Sequence, residues 1–140
     1  MLDKREILPT FSELIEKLTV TQLRELFLVK DRQKNSKEIE ALEHDIDLII
    51  KEKDIKLTAR LLRQVFVIAQ INAFIWDCKD EMQKDTISQE SYSNYLKKAH
   101  QLNGIRNQIR NLLLEITEET DKIALRSNIN TDGLDYFISI

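Results

Sequence analysis

Apolar residues recur at intervals of three and four along most of the chain, which is the period of an amphipathic helix. One long stretch runs from about Thr58 to Lys84 without a glycine or proline, and another runs from about Gln89 to Glu118. The connection near residue 87 is short, so the pattern predicts that these two helices are antiparallel neighbours. The second helix has a seam with alternating spacings of four and three residues: Tyr95, Ala99, Leu102, Arg106, Ile109, Leu113 and Ile116.

Shorter helices are predicted ahead of the two long ones, because capping signals recur near the start of the chain. Thr10 with Glu13 forms a Thr-x-x-Glu capping box for a first helix that ends near Leu18. Thr19 and Asn35, each followed three residues later by Gln or Glu, indicate the starts of a second and a third helix. The fold class expected is therefore all-α, a helical bundle with two long antiparallel helices and about three shorter N-terminal helices.

Composition supports one helical domain. The chain has 140 residues with only two glycines and one proline, whereas sheet proteins need many tight turns built from such residues. We expect a single domain over residues 1–140, with an N-terminal arm at 1–9 and a C-terminal tail at 128–140. The tail ends in Tyr136-Phe137-Ile138-Ser139-Ile140, which could dock on the bundle or on a partner.

Net charge and cysteine content argue against several classes of function. The net charge of −3 argues against a general binder of nucleic acid or of anionic membranes, which would need a basic surface. Cys78 is the only cysteine, so neither an intramolecular disulfide nor a Cys-rich zinc site can form. The stretch from Met1 to Pro9 lacks the apolar run of a signal peptide, and no run approaches the roughly 20 apolar residues of a membrane helix. We expect a cytoplasmic protein.

Polar residues interrupt the apolar seams of the two long helices. At 100° per residue Asn72 falls in the middle of an apolar arc, and Asp80 falls on its continuation beyond Trp76. Counting outward from the connection places Asn72 level with Arg106. Two interpretations stay open: a paired polar layer that fixes helix register, or a site for a small anion or carbohydrate-like ligand with Trp76 as a platform. The candidate ligand-binding residues are Asn72, Trp76, Asp80, Asn103, Arg106 and Arg110.

A second constellation is rich in carboxylates. Glu40 and Glu43 lie three residues apart on one predicted helix, and Asp77 and Asp80 have the same spacing on another. Two such pairs on facing helices could hold Mg²⁺ or Mn²⁺, as in all-α nucleotide pyrophosphohydrolases. The Lys-x-x-Glu-Glu-x-x-Asp run of those enzymes is absent, and a solvated flank gives the same pattern. The alternative function is thus a metal-dependent hydrolase of a nucleotide or nucleotide-sugar phosphate.

Three segments resemble a family of short bacterial all-helical proteins that carry a domain of unknown function. They are residues 12–21 with Ser-Glu-Leu-Ile-Glu-Lys-Leu-Thr, residues 72–81 with Asn-Ala-Phe-Ile-Trp-Asp-Cys-Lys-Asp, and Asn103-Gly-Ile-Arg106. The resemblance spans residues 12 to about 116 and departs at Gly104 and in the tail. It implies a helical fold in a bacterial protein, and it includes the same seam residues without supplying an activity.

The apolar stripes also bear on function. Every predicted helix carries a broad stripe, and five elements leave surplus hydrophobic surface that a second copy would bury. We therefore expect a helical binding or interaction protein that forms a homodimer, with no cofactor and with an unknown protein or small-molecule partner. An enzyme is the less favoured reading.

Overall fold

The fold is all-α, as the hydrophobic pattern predicts. A computed structural model of the chain describes residues 8–117, and within that range 85% of the residues are helical and no strand occurs. Residues 1–7 of the predicted arm and the whole predicted tail, 128–140, lie outside the described residues. The helices are α1 (Phe11–Phe27), α2 (Arg32–Glu52), α3 (Ala59–Met82) and α4 (Gln89–Ile116), with a 3₁₀ turn at Val29–Asp31.

Hydroxyl side chains begin three of the helices. Thr10 Oγ1 accepts a hydrogen bond from the backbone N–H of Glu13 at 3.2 Å, and the Glu13 carboxylate accepts one from the backbone N–H of Thr10, which completes the predicted capping box. Thr58 and Ser88 accept in the same way from the backbone N–H groups three residues later, each at 3.1 Å. The predicted starts of both long helices are therefore confirmed.

The predicted boundary between a first and a second helix at Thr19 is wrong. Residues 11–27 form one continuous helix, and Thr19 is buried in its middle. Its hydroxyl donates to the backbone carbonyl of Glu16 at 2.7 Å, which is how a threonine bonds inside a helix rather than at its start. Within residues 8–117 the bundle thus has two α-helices, not three, ahead of the long pair.

The predicted helix start at Asn35 is also wrong. Asn35 is a buried residue inside α2, which begins three residues earlier at Arg32 after the 3₁₀ turn. The Arg32 side chain turns back to the end of α1, where its Nε donates to the backbone carbonyl of Glu25 at 3.0 Å. The Ser36 hydroxyl donates to the Glu25 carboxylate at 2.8 Å. These contacts fix the corner between α1 and α2.

One core joins the four helices. α3 packs against α4, α1 packs against α2, and α1 also contacts both α3 and α4. The sites of contact are filled by buried aliphatic side chains and by Phe11. The core residues are Phe11, Leu14, Ile15, Leu42, Ile46, Leu61, Ile68, Ile71, Ile75, Leu102, Ile105, Ile109 and Leu113. α1 is therefore the element that links α2 to the α3–α4 pair.

The apolar sector of α3 is only partly covered. Leu62, Phe66 and Phe74 are exposed, although their positions in the sequence pattern suggest a wide buried sector. By length and composition, Ala59–Met82 is the one helix of the described chain that could cross a membrane, and 39% of its most apolar stretch is buried in the structure. A core helix of a soluble protein passes the same test, so the expectation that the chain has no membrane helix stays a prediction.

Candidate functional site

The site begins with a polar stripe on α1. Ser12, Glu16 and Thr19 are spaced by four and three residues, so they share one face of the helix. That face lies against α3 and α4, as contacts from each end of the stripe show. The Ser12 hydroxyl donates to the backbone carbonyl of Arg110 at 2.9 Å, and the Thr19 hydroxyl accepts from Asn72. A helix that the sequence pattern treated as two short pieces therefore carries half of the site.

Asn72 is the centre of the site and is only 4% exposed. Its Nδ2 donates to Thr19 Oγ1 at 2.7 Å, and its Oδ1 accepts from Arg106 Nη1 at 2.8 Å. The second terminal nitrogen of Arg106, Nη2, donates to Asn103 Oδ1. The donor and acceptor roles are consistent, because the Thr19 hydroxyl gives its own hydrogen to the Glu16 carbonyl. One amide side chain thus joins α1, α3 and α4.

Glu16 adds charge to this arrangement. Its Oε2 lies 2.6 Å from Nε of Arg110, and its Oε1 lies 3.5 Å from Nε of Arg106. All three side chains are largely shielded, with 16–21% of each exposed. We call this set the polar cluster: Ser12, Glu16, Thr19, Asn72, Asn103, Arg106 and Arg110. With two guanidinium groups and one carboxylate, the polar cluster carries an excess of one positive charge.

The excess charge is one of the factors that set the pKa of Arg106. Burial lowers the pKa of the Arg106 guanidinium, the nearby Glu16 carboxylate raises that pKa, and the neighbouring Arg110 charge lowers it again. The two Nε–H groups add to the cost, since neither has a hydrogen bond of good geometry within the described part of the chain. Proximity to Glu16 therefore compensates the two cations incompletely.

The structure brings together most of the predicted ligand-binding residues. Arg106 donates hydrogen bonds to both Asn72 and Asn103, as their register suggests, and Arg110 joins them through Glu16. Whether they bind a ligand is not decided by these contacts, and that part of the prediction stays a prediction. Their pairing satisfies the Asn72 amide and part of the Arg106 guanidinium, while the Arg106 Nε–H has no hydrogen bond within residues 8–117.

Trp76 and Asp80 lie apart from the polar cluster. Trp76 is half-buried and packs beside Phe27 at the end of α1, with the ring centroids 6.2 Å apart and the planes tilted by 30°. Asp80 is exposed, so its expected place on the buried arc of α3 is wrong. The arc ends near Trp76 because α1, which covers this side of α3, ends at Phe27.

The four carboxylates of the alternative metal site do not converge. Glu40, Glu43, Asp77 and Asp80 are all exposed, and residues 8–117 contain no group of three or more His, Cys, Asp or Glu side chains placed to hold a metal ion. α2, which carries the first pair, packs against α1, whereas α3 packs against α4 and α1. For the two carboxylate pairs to face each other, α2 would have to contact α3, and these helices do not contact each other within residues 8–117.

A cleft lies beside the polar cluster, between α3 and α4. It has a volume of about 240 Å³ and opens to solvent. Its lining is Ile75, Lys79 and Met82 from α3, with Leu96, Ala99, His100, Asn103 and Arg106 from α4. We call it the α3–α4 cleft. Asn103 and Arg106 belong both to this cleft and to the polar cluster, so the network has one side that a ligand can reach.

Sequence reasoning missed Ser12, Glu16 and Thr19. The signal was present, because their four-and-three spacing matches the spacing of the seam residues on α4. The prediction of a helix start at Thr19 obscured this spacing, because it places Glu16 and Thr19 on different helices. A continuous helix from Phe11 puts both on the same face as Ser12.

Comparison of the chain with family models, with curated proteins and with solved structures gives no match. The resemblance of three segments to a bacterial helical family stays a prediction.

Proposed function

We propose that this protein is a non-enzymatic helical interaction protein that works as a homodimer, with α3 of one copy packed against α3 of the other. The observation that carries the proposal is the uncovered apolar face of α3. Phe66 is 59% exposed, and Leu62 and Phe74 are 38% and 41% exposed. Large aromatic side chains left in water on a rigid helix are typical of a surface that binds another protein.

The exposed residues form one continuous strip. Leu62, Phe66, Gln70 and Phe74 follow one another at four-residue intervals, so they line a single side of the helix. We call this strip the outer face of α3. The opposite side of the helix carries Ile68, Ile71 and Ile75, which are buried in the core. α3 is thus apolar on two sides, and the core formed by residues 8–117 covers one of them.

Charge on α3 favours a second copy as the occupant. The N-terminal end of the helix carries Arg60 and Arg63, and the C-terminal end carries Asp77 and Asp80. An antiparallel α3–α3 contact centred on Gln70 places the basic end of each copy beside the acidic end of the other. In that register Phe66 meets Phe74 of the second copy, and Arg63 comes near its Asp77. A surface complementary to itself in this way is what a two-fold interface requires.

The size of the face sets the expected affinity. A 24-residue helix is about 36 Å long, and one face of it is smaller than the roughly 800 Å² per partner of a standard stable interface. Aromatic side chains at the centre partly offset that small area. We therefore expect association in the micromolar range rather than an obligate dimer.

The polar cluster has a structural role in this proposal. The polar cluster connects α1 to α3 and α4. These contacts fix the orientation of α3, so that its outer face points away from the core. The proposal includes an antiparallel arrangement of α3 and α4; the short connection at residues 83–88 and the Asn72–Arg106 bond support it. It also includes a bacterial, cytoplasmic setting, in keeping with the predicted resemblance.

Sedimentation equilibrium across micromolar concentrations tests the dimer. The wild-type chain should show a concentration-dependent rise in mass toward twice 16.5 kDa, and Phe66→Asp should stay monomeric because it places a charge at the centre of the contact. Leu48→Asp is the matched control, since Leu48 is 44% exposed on α2, away from α3. That control should dimerise like the wild type. A strict monomer at every concentration, or equal loss in both variants, would overturn the proposal.

A further inference from the structure

We propose that the α3–α4 cleft binds a small amphipathic organic anion, of the medium-chain monocarboxylate class. This site is independent of the proposed dimer. At 100° per residue, Ile75 and Lys79 lie on the side of α3 opposite Phe66, so the cleft and the outer face share no surface. Each proposal can therefore fail without the other.

The charge around the cleft favours an anion. The polar cluster carries two guanidinium groups against the single carboxylate of Glu16, which leaves an excess of one positive charge among the described residues of the cluster. Lys79 and His100 add basic side chains at the rim, and no acidic residue is among the described residues that line the cleft. A locally basic cleft in a chain of net charge −3 is a local departure from the general surface. It attracts anions that the rest of the molecule repels.

Arg106 supplies hydrogen-bond donors at the inner end. A guanidinium has five N–H groups, and Arg106 uses one on Asn72 and one on Asn103. Burial and the Arg110 charge both lower the pKa of Arg106, and the Glu16 carboxylate, 3.5 Å from its Nε, raises that pKa. A carboxylate in the cleft would add a second anionic partner through charge-assisted hydrogen bonds, which are stronger than those of a neutral group.

The other residues that line the cleft favour a ligand with an apolar chain. Ile75, Met82, Leu96 and Ala99 form aliphatic walls, and Met adapts readily to flexible ligands. Inorganic phosphate would satisfy the basic groups but leave these walls in water. A compact chain of methylene groups would cover them and gain the free energy of apolar burial. The volume of about 240 Å³ is small for a ligand pocket, which restricts the occupant to fragment size.

Isothermal titration with sodium octanoate tests the site without altering the protein. Octanamide, which has the same chain without the charge, should bind about five- to tenfold more weakly, because it offers only neutral hydrogen bonds to Arg106. Inorganic phosphate should bind weakly or not at all, since it lacks the apolar body. No saturable binding of octanoate at millimolar concentration would overturn the proposal. Equal affinity for octanoate and octanamide would overturn it as well, because the charge would then contribute nothing.

Substitutions in the lining test whether octanoate binds in the cleft. Ala99→Leu fills the space between the walls and should weaken octanoate binding about tenfold or more, since a misfit of even one methylene group in an apolar pocket weakens binding about tenfold. Lys79→Ser should weaken it about two- to fivefold, as expected for one exposed charge. Lys97→Ser is the matched control, because Lys97 is exposed on α4 and does not line the cleft. Unchanged binding in Ala99→Leu, with its helical circular dichroism intact, would place octanoate elsewhere and refute the site.

Discussion

Nη1 of Arg106 donates a hydrogen bond of 2.8 Å to Oδ1 of Asn72, and this bond joins α4 to α3 across 34 residues of sequence. The same Asn72 side chain donates to Thr19 on α1. A sliding of any of these three helices by one turn would break at least one bond and leave a buried polar group unpaired, which is costly. We therefore infer that the polar cluster fixes the register of the bundle.

Replacing Asn72 tests this register role. Asn72→Ala should lower the free energy of unfolding by about 1–3 kcal/mol, because it leaves Arg106 Nη1 and the Thr19 hydroxyl without their partner in a buried setting. Urea unfolding followed by circular dichroism measures the change. Gln108→Ala, at an exposed position of α4, is the control and should change stability by less than about 0.5 kcal/mol. Equal effects in the two variants would contradict a structural role for Asn72.

Removing the charge of Glu16 should also destabilise the fold. Glu16→Gln leaves Arg106 and Arg110 close together and largely shielded, with no carboxylate between them. We expect a loss of about 1–3 kcal/mol, less than for a fully buried ion pair because each side chain is still partly exposed. Glu43→Gln, an exposed position on α2, serves as the control in the same urea titration. A Glu16→Gln chain as stable as that control would show that Glu16 does not balance the two arginines.

The carboxylate arrangement leads to a prediction about metal ions. Glu40, Glu43, Asp77 and Asp80 are exposed and lie on helices that pack elsewhere. Millimolar Mg²⁺ or Mn²⁺ should therefore leave the melting temperature unchanged, since a ligand raises it only by binding the folded state preferentially. Thermal melts with and without each ion measure this. A rise that disappears in the double variant Glu43→Gln/Asp77→Asn would restore the metal-dependent hydrolase as a candidate.

Much of the fold can be predicted from the sequence because its signals are local. Thr58 and Ser88 cap the two long helices as the pattern predicts, and 100° steps along each helix place Asn72 and Arg106 on facing sides. The short connection then brings them level. The chain has few glycines and prolines, which would end or interrupt helices, so the apolar pattern predicts long continuous helices.

The errors arise where a local signal is overridden by tertiary packing. Thr19 and Asn35 resemble helix starts, yet both are buried inside helices, where Thr19 bonds back to the Glu16 carbonyl. No breaker residue separates the two predicted N-terminal helices, so the backbone continues as one helix. The role of Glu16 follows only from that continuity. Exposure of Phe66 could not be predicted either, because an apolar position in the pattern does not say which neighbour covers it.

Exchange of charges tests the antiparallel register of the proposed dimer. Asp77→Arg should weaken dimerisation, because it places a second cation near Arg63 of the other copy. Adding Arg63→Asp to that variant should restore most of the affinity, since the contact then has the same pair of charges reversed. Sedimentation equilibrium of the two variants measures the change, with thermal melts to verify folding. Failure of the double variant to recover would contradict the register, while dimerisation itself is tested by Phe66→Asp.

Cysteine trapping at Gln70 tests the central claim, that two copies meet through the outer face of α3. In a Cys78→Ala background, Gln70→Cys places one thiol from each copy next to the two-fold axis, within the short distance that a disulfide needs. Mild oxidation should convert most of the protein to a covalent dimer at micromolar concentration. Gln108→Cys in the same background gives the control, on exposed α4 surface. No more dimer from Gln70→Cys than from this control would contradict the account.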